Sequence, residues 1–230
     1  MDKKYKVTAL IVAAGSGKRI GGSVKKQFLE INKKPVLIHT LERFQHCKDV
    51  DDIIVVVPED NIADIKDIIF NNSDLNKVKQ IIPGGRERYF SVFEGLKIVP
   101  DNTDYVAVHD GVRPLVTVEK ISRVIQAANK YGSAILGVIP KDTIKSVESG
   151  FVDETVNRDT MITVQTPQVF KKEVLVEAYL HAFETKQFGT DDAALVENLG
   201  YRIFVVKGDY KNIKITSAED VLIAEKLLDL

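Results

Sequence analysis

Val7–Val12 reads VTALIV and runs straight into Ala13-Ala14-Gly15-Ser16-Gly17. A short apolar run of this kind suits a central parallel strand, which is buried on both faces, better than a half-exposed edge strand. A glycine turn at its carboxyl end marks the place where open α/β sheets hold their ligands, because the backbone N–H groups there can approach phosphate. This strand–turn decides the reading of the rest.

Strand-like and helix-like runs alternate onward from it. Leu37, Leu41 and Phe44 recur at helical spacing after Pro35, and Ile53–Val57 is a second buried strand followed by Ile62, Ile65 and Ile69 on a helix. Val78–Ile82 is a third strand, closed by Pro83-Gly84-Gly85, and Val92, Leu96 and Val99 lie on the helix after it. Tyr105–His109 and Ala134–Ile139 are the fourth and fifth strands, flanking the amphipathic stripe Ile121, Val124, Ile125 and Ala128. Strand–helix units in this succession predict a doubly wound, mostly parallel, Rossmann-like sheet with right-handed crossovers. The rhythm breaks over residues 141–163, where Thr143–Val147 and Met161–Val164 read as two strands around a turn at Glu148-Ser149-Gly150. No helix covers this hairpin, so a projecting β-arm seated on a second subunit is expected. Helical spacing resumes at Leu175, Ala178, Tyr179 and Ala182. Asp191 is placed to cap a short helix, Arg202–Val206 is a late strand, and Val221, Ala224 and Leu228 close the chain. Residues 1–230 thus read as a single domain with an arm at about 141–163.

Composition narrows the function. The chain has 230 residues, with 32 Lys and Arg against 33 Asp and Glu, so no global field draws it to nucleic acid or to a membrane. Cys47 stands alone, which rules out an internal disulfide and a cysteine-based zinc site. No apolar stretch reaches the ~20 residues of a membrane span. No signal or transit peptide is expected ahead of the strand at Val7, and the expected location is the cytoplasm.

The candidate chemistry lies at strand ends. Ala13–Arg19 reads AAGSGKR. It is not a Walker loop, since Val12 stands five before Gly17 and Arg19 follows Lys18, and Ile20 spoils a dinucleotide fingerprint. Lys18, Arg19, Lys25 and Lys26 follow with no acid among them. A charge run alone is an ordinary solvated face, but after a central-strand glycine turn it suits a triphosphate, whose transfer is stabilised by placed positive charge. Asp110, in His109-Asp110-Gly111-Val112-Arg113-Pro114, is able to hold Mg²⁺ or simply to cap a turn. His109 reads as a packed or hydrogen-bonded ring rather than a base. Gly84-Gly85 allows backbone to approach something flat, such as a nucleobase, ahead of a helix bearing Ser91. Asn212-Ile213-Lys214-Ile215-Thr216 reads as a short strand carrying Lys214, and Arg158 in the arm is by itself surface decoration.

AAGSGKR, KKQFLEI, PVLIHTLERF, GGRERYFSVFEGL, HDGVRP, KDTIK, QTPQVF, GTDDA and NIKIT follow one another across nearly the whole chain. Together they resemble the 2-C-methyl-D-erythritol 4-phosphate cytidylyltransferases of non-mevalonate isoprenoid synthesis. The resemblance implies attack of the methylerythritol phosphate on the α-phosphorus of CTP, with Mg²⁺ bound and pyrophosphate leaving. It implies that Arg19 and Lys26 neutralise the triphosphate and that Lys214 contacts the α-phosphate. Ala13, Ala14, Gly15, Gly17, Gly85 and Ser91 would bind the nucleotide, with Asp110 and Gly111 meeting ribose and metal. Arg113, Thr166 and Lys214, with Asp110, would line the acceptor pocket, and Thr143 and Arg158 would reach it from a second subunit of a homodimer. This sequence departs from the family pattern at Lys25, where proline is common, at Arg86, where an acid is frequent, and at Val112, where alanine is usual. A ribitol 5-phosphate cytidylyltransferase shares many of these features and is the alternative. A nicotinamide dehydrogenase lacks support because Val57-Pro58 stands where an acid should end the second strand.

Overall fold

The computed structural model describes residues 5–15, 28–70 and 74–228. The chain begins with β1 (Val7–Val12), a small ribbon of β2 (Glu30–Ile31) and β3 (Lys34–Pro35), and α1 (Val36–His46). β4 (Asp52–Val57), α2 (Ile62–Phe70), β5 (Val78–Pro83), α3 (Arg88–Leu96) and β6 (Tyr105–Asp110) follow. Then come α4 (Val118–Tyr131), β7 (Ser133–Val138), β8 (Ile144–Glu148), β9 (Phe151–Val156) and β10 (Thr163–Lys171). The chain closes with α5 (Lys172–Thr185), α6 (Asp192–Asn198), β11 (Phe204–Lys207) and α7 (Ala218–Leu228). None of the described helices is long and apolar enough to cross a membrane.

One sheet of seven strands, in the order β11-β7-β10-β6-β1-β4-β5, carries the fold. β1 lies between β4 and β6, parallel to both, and is buried along its whole length, as its uncharged sequence requires. Because side chains alternate along a strand, β1 feeds two cores. Val7, Ala9 and Ile11 pack with α1, α2 and α4, whereas Leu10 and Val12 pack with α3, α5 and α6. The expected stripe of α4 is real: Ile121, Val124, Ile125 and Ala128 are fully buried. Thr117 starts that helix, its hydroxyl oxygen accepting from the N–H of Lys120 at 3.2 Å. A third, smaller core joins Ile31, Val36, Val112, Leu115, Ile215 and Ala224 under α7.

Three readings change. The succession of parallel strands is interrupted by β10, which inserts antiparallel between β6 and β7. Its first residues, Thr163 and Val164, were expected in the arm; they belong to the main sheet, paired with Val138 and Gly137. The strand returning from β8 is instead β9, exposed along most of its length. The turn is where expected: Glu148 pairs with Phe151 across Ser149 and Gly150, whose φ values of 50° and 87° are both positive, the geometry that matches strand twist in a two-residue hairpin. Finally, Asn212–Thr216 forms no strand and joins no sheet. Ile215 N–H donates to Val112 O at 2.9 Å, enough to dock the segment beside the end of β6.

Candidate active site

Four strand ends, those of β1, β4, β5 and β6, are stitched together by three backbone bonds. Ala13 N–H donates to Val56 O (2.7 Å), Gly84 N–H to Val57 O (2.8 Å) and Gly111 N–H to Val12 O (2.8 Å). Gly84 is obligatory at this crossing, since a Cβ there would run into the Ala14 Cβ and the Ser91 hydroxyl. The result is a cleft walled by Ala13, Ala14, Gly15, Gly85, Arg86 and Ser91, with Asp110 and Lys214 at one end. Ser91 faces it with a hydroxyl that donates back to Glu87 O (3.1 Å) or Gly85 O (3.3 Å). Gly111 is buried beside the cleft rather than lining it, where a Cβ would meet that of Ala13 at 2.8 Å. Gly17, Arg19 and Lys26 lie outside the described residues.

A second cleft opens on the other side of Asp110. Arg113, Gln165, Thr166, Gln168, Asp191, Glu197 and Lys214 line it, with apolar walls from Ile135, Ile162, Ile203 and Val205. The clefts meet at Arg88, Asp110 and Lys214, which line both. Thr143 and Arg158 line neither; they are exposed, and the Arg158 guanidinium donates to Lys141 O of its own chain at 2.6 Å.

Asp110 is the electrostatic centre. Its Oδ1 takes Arg88 Nε at 3.2 Å, and its Oδ2 takes Lys214 Nζ at 2.9 Å and Arg113 Nε at 3.4 Å. Burial opposes the anion, but the Arg88, Lys214 and Arg113 cations outweigh it and hold this carboxyl well below the usual carboxylate range. The acid is therefore a fixed negative charge, not a proton donor. Mg²⁺ fits such a group, since one carboxylate suffices when phosphate oxygens supply further ligands. Lys214, with 37% of its side chain exposed, is the most exposed of the three cations.

Behind Asp110 lies a chain of hydrogen bonds that the sequence hides. Arg113 O can only accept, so His109 Nε2, 3.2 Å away, carries the ring proton. His109 Nδ1 must then accept, and the Thr166 hydroxyl donates to it at 2.9 Å while receiving the Asp110 N–H at 3.1 Å. Burial drives the His109 pKa down to about 3, so the ring is neutral, packed against Phe44 and not a base. Thr166 sits where the register of β10 shifts, which turns its hydroxyl towards Asp110. Asn212 donates to Thr166 O (3.0 Å) and accepts Arg113 Nη1 on its own carbonyl (2.8 Å), fixing the segment that presents Lys214.

Sequence reasoning left Arg88, Tyr179, Gln168 and Asp192 without roles. Gln168 is fully buried, donates to Asp191 Oδ2 (2.7 Å) and accepts Ala193 N–H (3.0 Å), pinning the head of α6 to β10. The available signal was the pair Asp191-Asp192: one acid caps α6 by accepting from Ala194 N–H at 3.0 Å, which leaves the other needing a cation.

A mostly parallel sheet whose central strand ends at a cleft walled by Ala13, Ala14 and Gly15, with a second cleft joined to it at a carboxylate ringed by cations, defines an α/β nucleotidyltransferase. Comparison with known proteins takes this further. The chain belongs to the 2-C-methyl-D-erythritol 4-phosphate cytidylyltransferase family, whose model matches residues 7–229. The enzyme of that name from Syntrophus aciditrophicus is 45% identical over 226 residues, covering 98% of this chain and 97% of the relative. That from Clostridium botulinum strain Okra is 43% identical over 225 residues, 97% and 98% of the two chains. Among solved structures, the 4-diphosphocytidyl-2C-methyl-D-erythritol synthase of Anaerococcus prevotii superposes with a TM-score of 0.88 at 34% identity, covering 98% of this chain and 97% of that one. The Thermus thermophilus cytidylyltransferase gives 0.80 at 31% identity, covering 98% and 100%.

Proposed function

We propose that this protein transfers the cytidylyl group of CTP to 2-C-methyl-D-erythritol 4-phosphate, releasing pyrophosphate, as a step of isoprenoid biosynthesis. The observation that carries the proposal is the junction of two clefts at Asp110 and Lys214, one walled by close-packed backbone that suits a base and the other by polar groups and Arg113. CTP occupies the first cleft and the acceptor phosphate the second. The attacking phosphate is already anionic, so no general base is required, in keeping with a neutral His109 and an Asp110 that keeps its charge. Lys214, together with Arg19 and Lys26 of the first loop, neutralises charge at the α-phosphorus. Asp110 would hold Mg²⁺, which when bound would supply neutralisation of the charge on the leaving pyrophosphate.

The active protein is a homodimer in this reading, each β8–β9 arm lying over its neighbour so that Thr143 and Arg158 reach the other acceptor cleft. The support is the arm's exposed apolar surface, with Val147, Phe151 and Val152 exposed by 62%, 79% and 61%. The single cysteine and balanced charge suit a cytoplasmic location. Pyrophosphate release measured with CTP and methylerythritol phosphate tests the proposal. Turnover with that pair, and far less with ATP, GTP or ribitol 5-phosphate, is expected. Equal turnover with ATP, or a preference for ribitol 5-phosphate, refutes the substrate assignment.

A further inference from the structure

Arg88 opens α3, directly after the turn that carries Gly85. Its guanidinium faces two carboxylates from distant parts of the chain: Nε lies 3.2 Å from Asp110 Oδ1 and Nη2 lies 2.7 Å from Asp192 Oδ2. Asp192 is fully buried at the head of α6, and its other oxygen accepts the Tyr179 hydroxyl at 2.6 Å. A buried carboxylate demands a partner of fixed geometry, and a planar guanidinium donates in two directions at a set spacing, which an ammonium does not. The three elements tied in this way have different duties. The head of α3 carries Ser91, which lines the nucleotide cleft, while Ala193, Ala194 and Glu197 of α6 line the acceptor cleft. Asp110 stands between them.

We infer that Arg88 is a positioning residue that sets the spacing of the nucleotide and acceptor clefts by bridging Asp110 to Asp192, and that Tyr179 supports it through Asp192. The inference rests on the two-cleft reading above but goes beyond it, since it assigns the alignment of the two substrates to a bridge anchored in α6, outside the nucleotide cleft. Tyr179 lines neither cleft, so any effect of its hydroxyl on turnover must travel through Asp192.

The test uses Arg88→Lys, Asp192→Asn and Tyr179→Phe in the full chain. It measures thermal stability, the Kd for CTP with Mg²⁺ by calorimetry, and kcat with the acceptor KM by pyrophosphate release. A misplacement of about 1 Å between reacting groups costs on the order of 10²-fold in rate. Arg88→Lys keeps the positive charge but cannot hold both acids, so kcat is expected to fall about 10²-fold and the acceptor KM to rise, with the Kd for CTP within about threefold of the unaltered protein. Tyr179→Phe, which leaves both cations and acids in place, is expected to show the same pattern in weaker form, about tenfold in kcat. Combining Arg88→Lys with Asp192→Asn should cost less than the product of the single effects, because both break one bridge. Variants that lose thermal stability but keep kcat and the acceptor KM make the bridge a scaffold contact and overturn the inference. So does a loss confined to CTP affinity. Should Arg88→Lys fail to fold, Tyr179→Phe decides the matter by the same measurements. Failure of the unaltered protein to turn over CTP and methylerythritol phosphate would instead remove the functional proposal.

Discussion

Replacing His109 with Gln removes a titrating ring from a site that is fully closed to solvent. In the folded protein the ring takes a proton only near pH 3, because burial disfavours the imidazolium. In the unfolded chain it takes one near 6.5. As pH falls below 7 the unfolded state therefore gains a proton that the folded state refuses. The stability held above pH 7 drains away through this window and the loss levels off near pH 3. Between pH 7 and pH 5 the difference amounts to about 2 kcal/mol, taking the unfolded value as the ordinary one. Urea unfolding at the two pH values, with stability taken by linear extrapolation, measures it. The unaltered protein should lose about 2 kcal/mol more than His109→Gln over that interval. The comparison cancels the partly exposed histidines and the carboxylates, which both proteins share. Equal losses would mean that His109 is protonated in the folded state, and the neutral tautomer assigned to the chain Asp110–Thr166–His109–Arg113 would be wrong.

Gly84→Ala forces a methyl against Ala14 and Ser91, which both line the nucleotide cleft, so it should cost about 1–3 kcal/mol of stability and weaken CTP binding, read by thermal unfolding and calorimetry. Thr117→Ala deletes the cap of α4 and should cost about 1 kcal/mol, lowering Tm by about 2–4 °C while kcat stays unchanged. Lys214→Ala should lower kcat by about 10²-fold, more than it raises KM for CTP, in steady-state pyrophosphate release. Arg158→Ala and Lys26→Ala proteins, each nearly inactive, should recover roughly a quarter of normal activity when refolded together, because a mixed dimer with a shared site regains one intact site. No recovery despite proven subunit exchange would place Arg158 within its own chain's site.

How far the sequence could be read depended on the range of the forces involved. β1, β4, β6 and β7 were visible because each is built on a short apolar run, β5 because Val78, Ile81 and Ile82 precede Pro83-Gly84-Gly85, and α4 because its stripe is local. β10 escaped because its buried centre, Gln165-Thr166-Pro167-Gln168, is polar and contains a proline. Its burial is made possible by hydrogen bonds to Asp110, Asp191, Ala193 and Asp209, none of them near in sequence. β9 escaped for the opposite reason: Asp153 and Glu154 make it look like a loop, and its pairing rests on the turn and on cross-strand bonds from Lys145 and Ser146 to Thr155 and Asp153. At the site, Asp110, Arg113, Thr166 and Lys214 could be placed from strand ends and motifs, and the structure brings them together. Arg88 could not, because its partner Asp192 lies 104 residues away and only the closed sheet makes them neighbours.

The insertion of β10 also has a bearing on how the chain is made. β6 and β7 share no pairing; the strand that joins them is supplied by Thr163–Lys171, and β11 attaches only through β7. During synthesis, the β5-β4-β1-β6 half has all its strands once Asp110 has emerged, whereas β7 packs on α4 but has no strand to pair with until β10 follows, some sixty residues after Asp110. Until then β6 is an open edge of Tyr105–Asp110, apolar and unprotected, of the kind that invites pairing with another chain. Asp110 shares this delay. Its partners Arg88 and Arg113 exist early, but Thr166 comes only with β10 itself, and Lys214 later still. The nascent protein thus has half its strands for part of its synthesis, and its centre of charge gains Lys214 only after the residues that fill the seam.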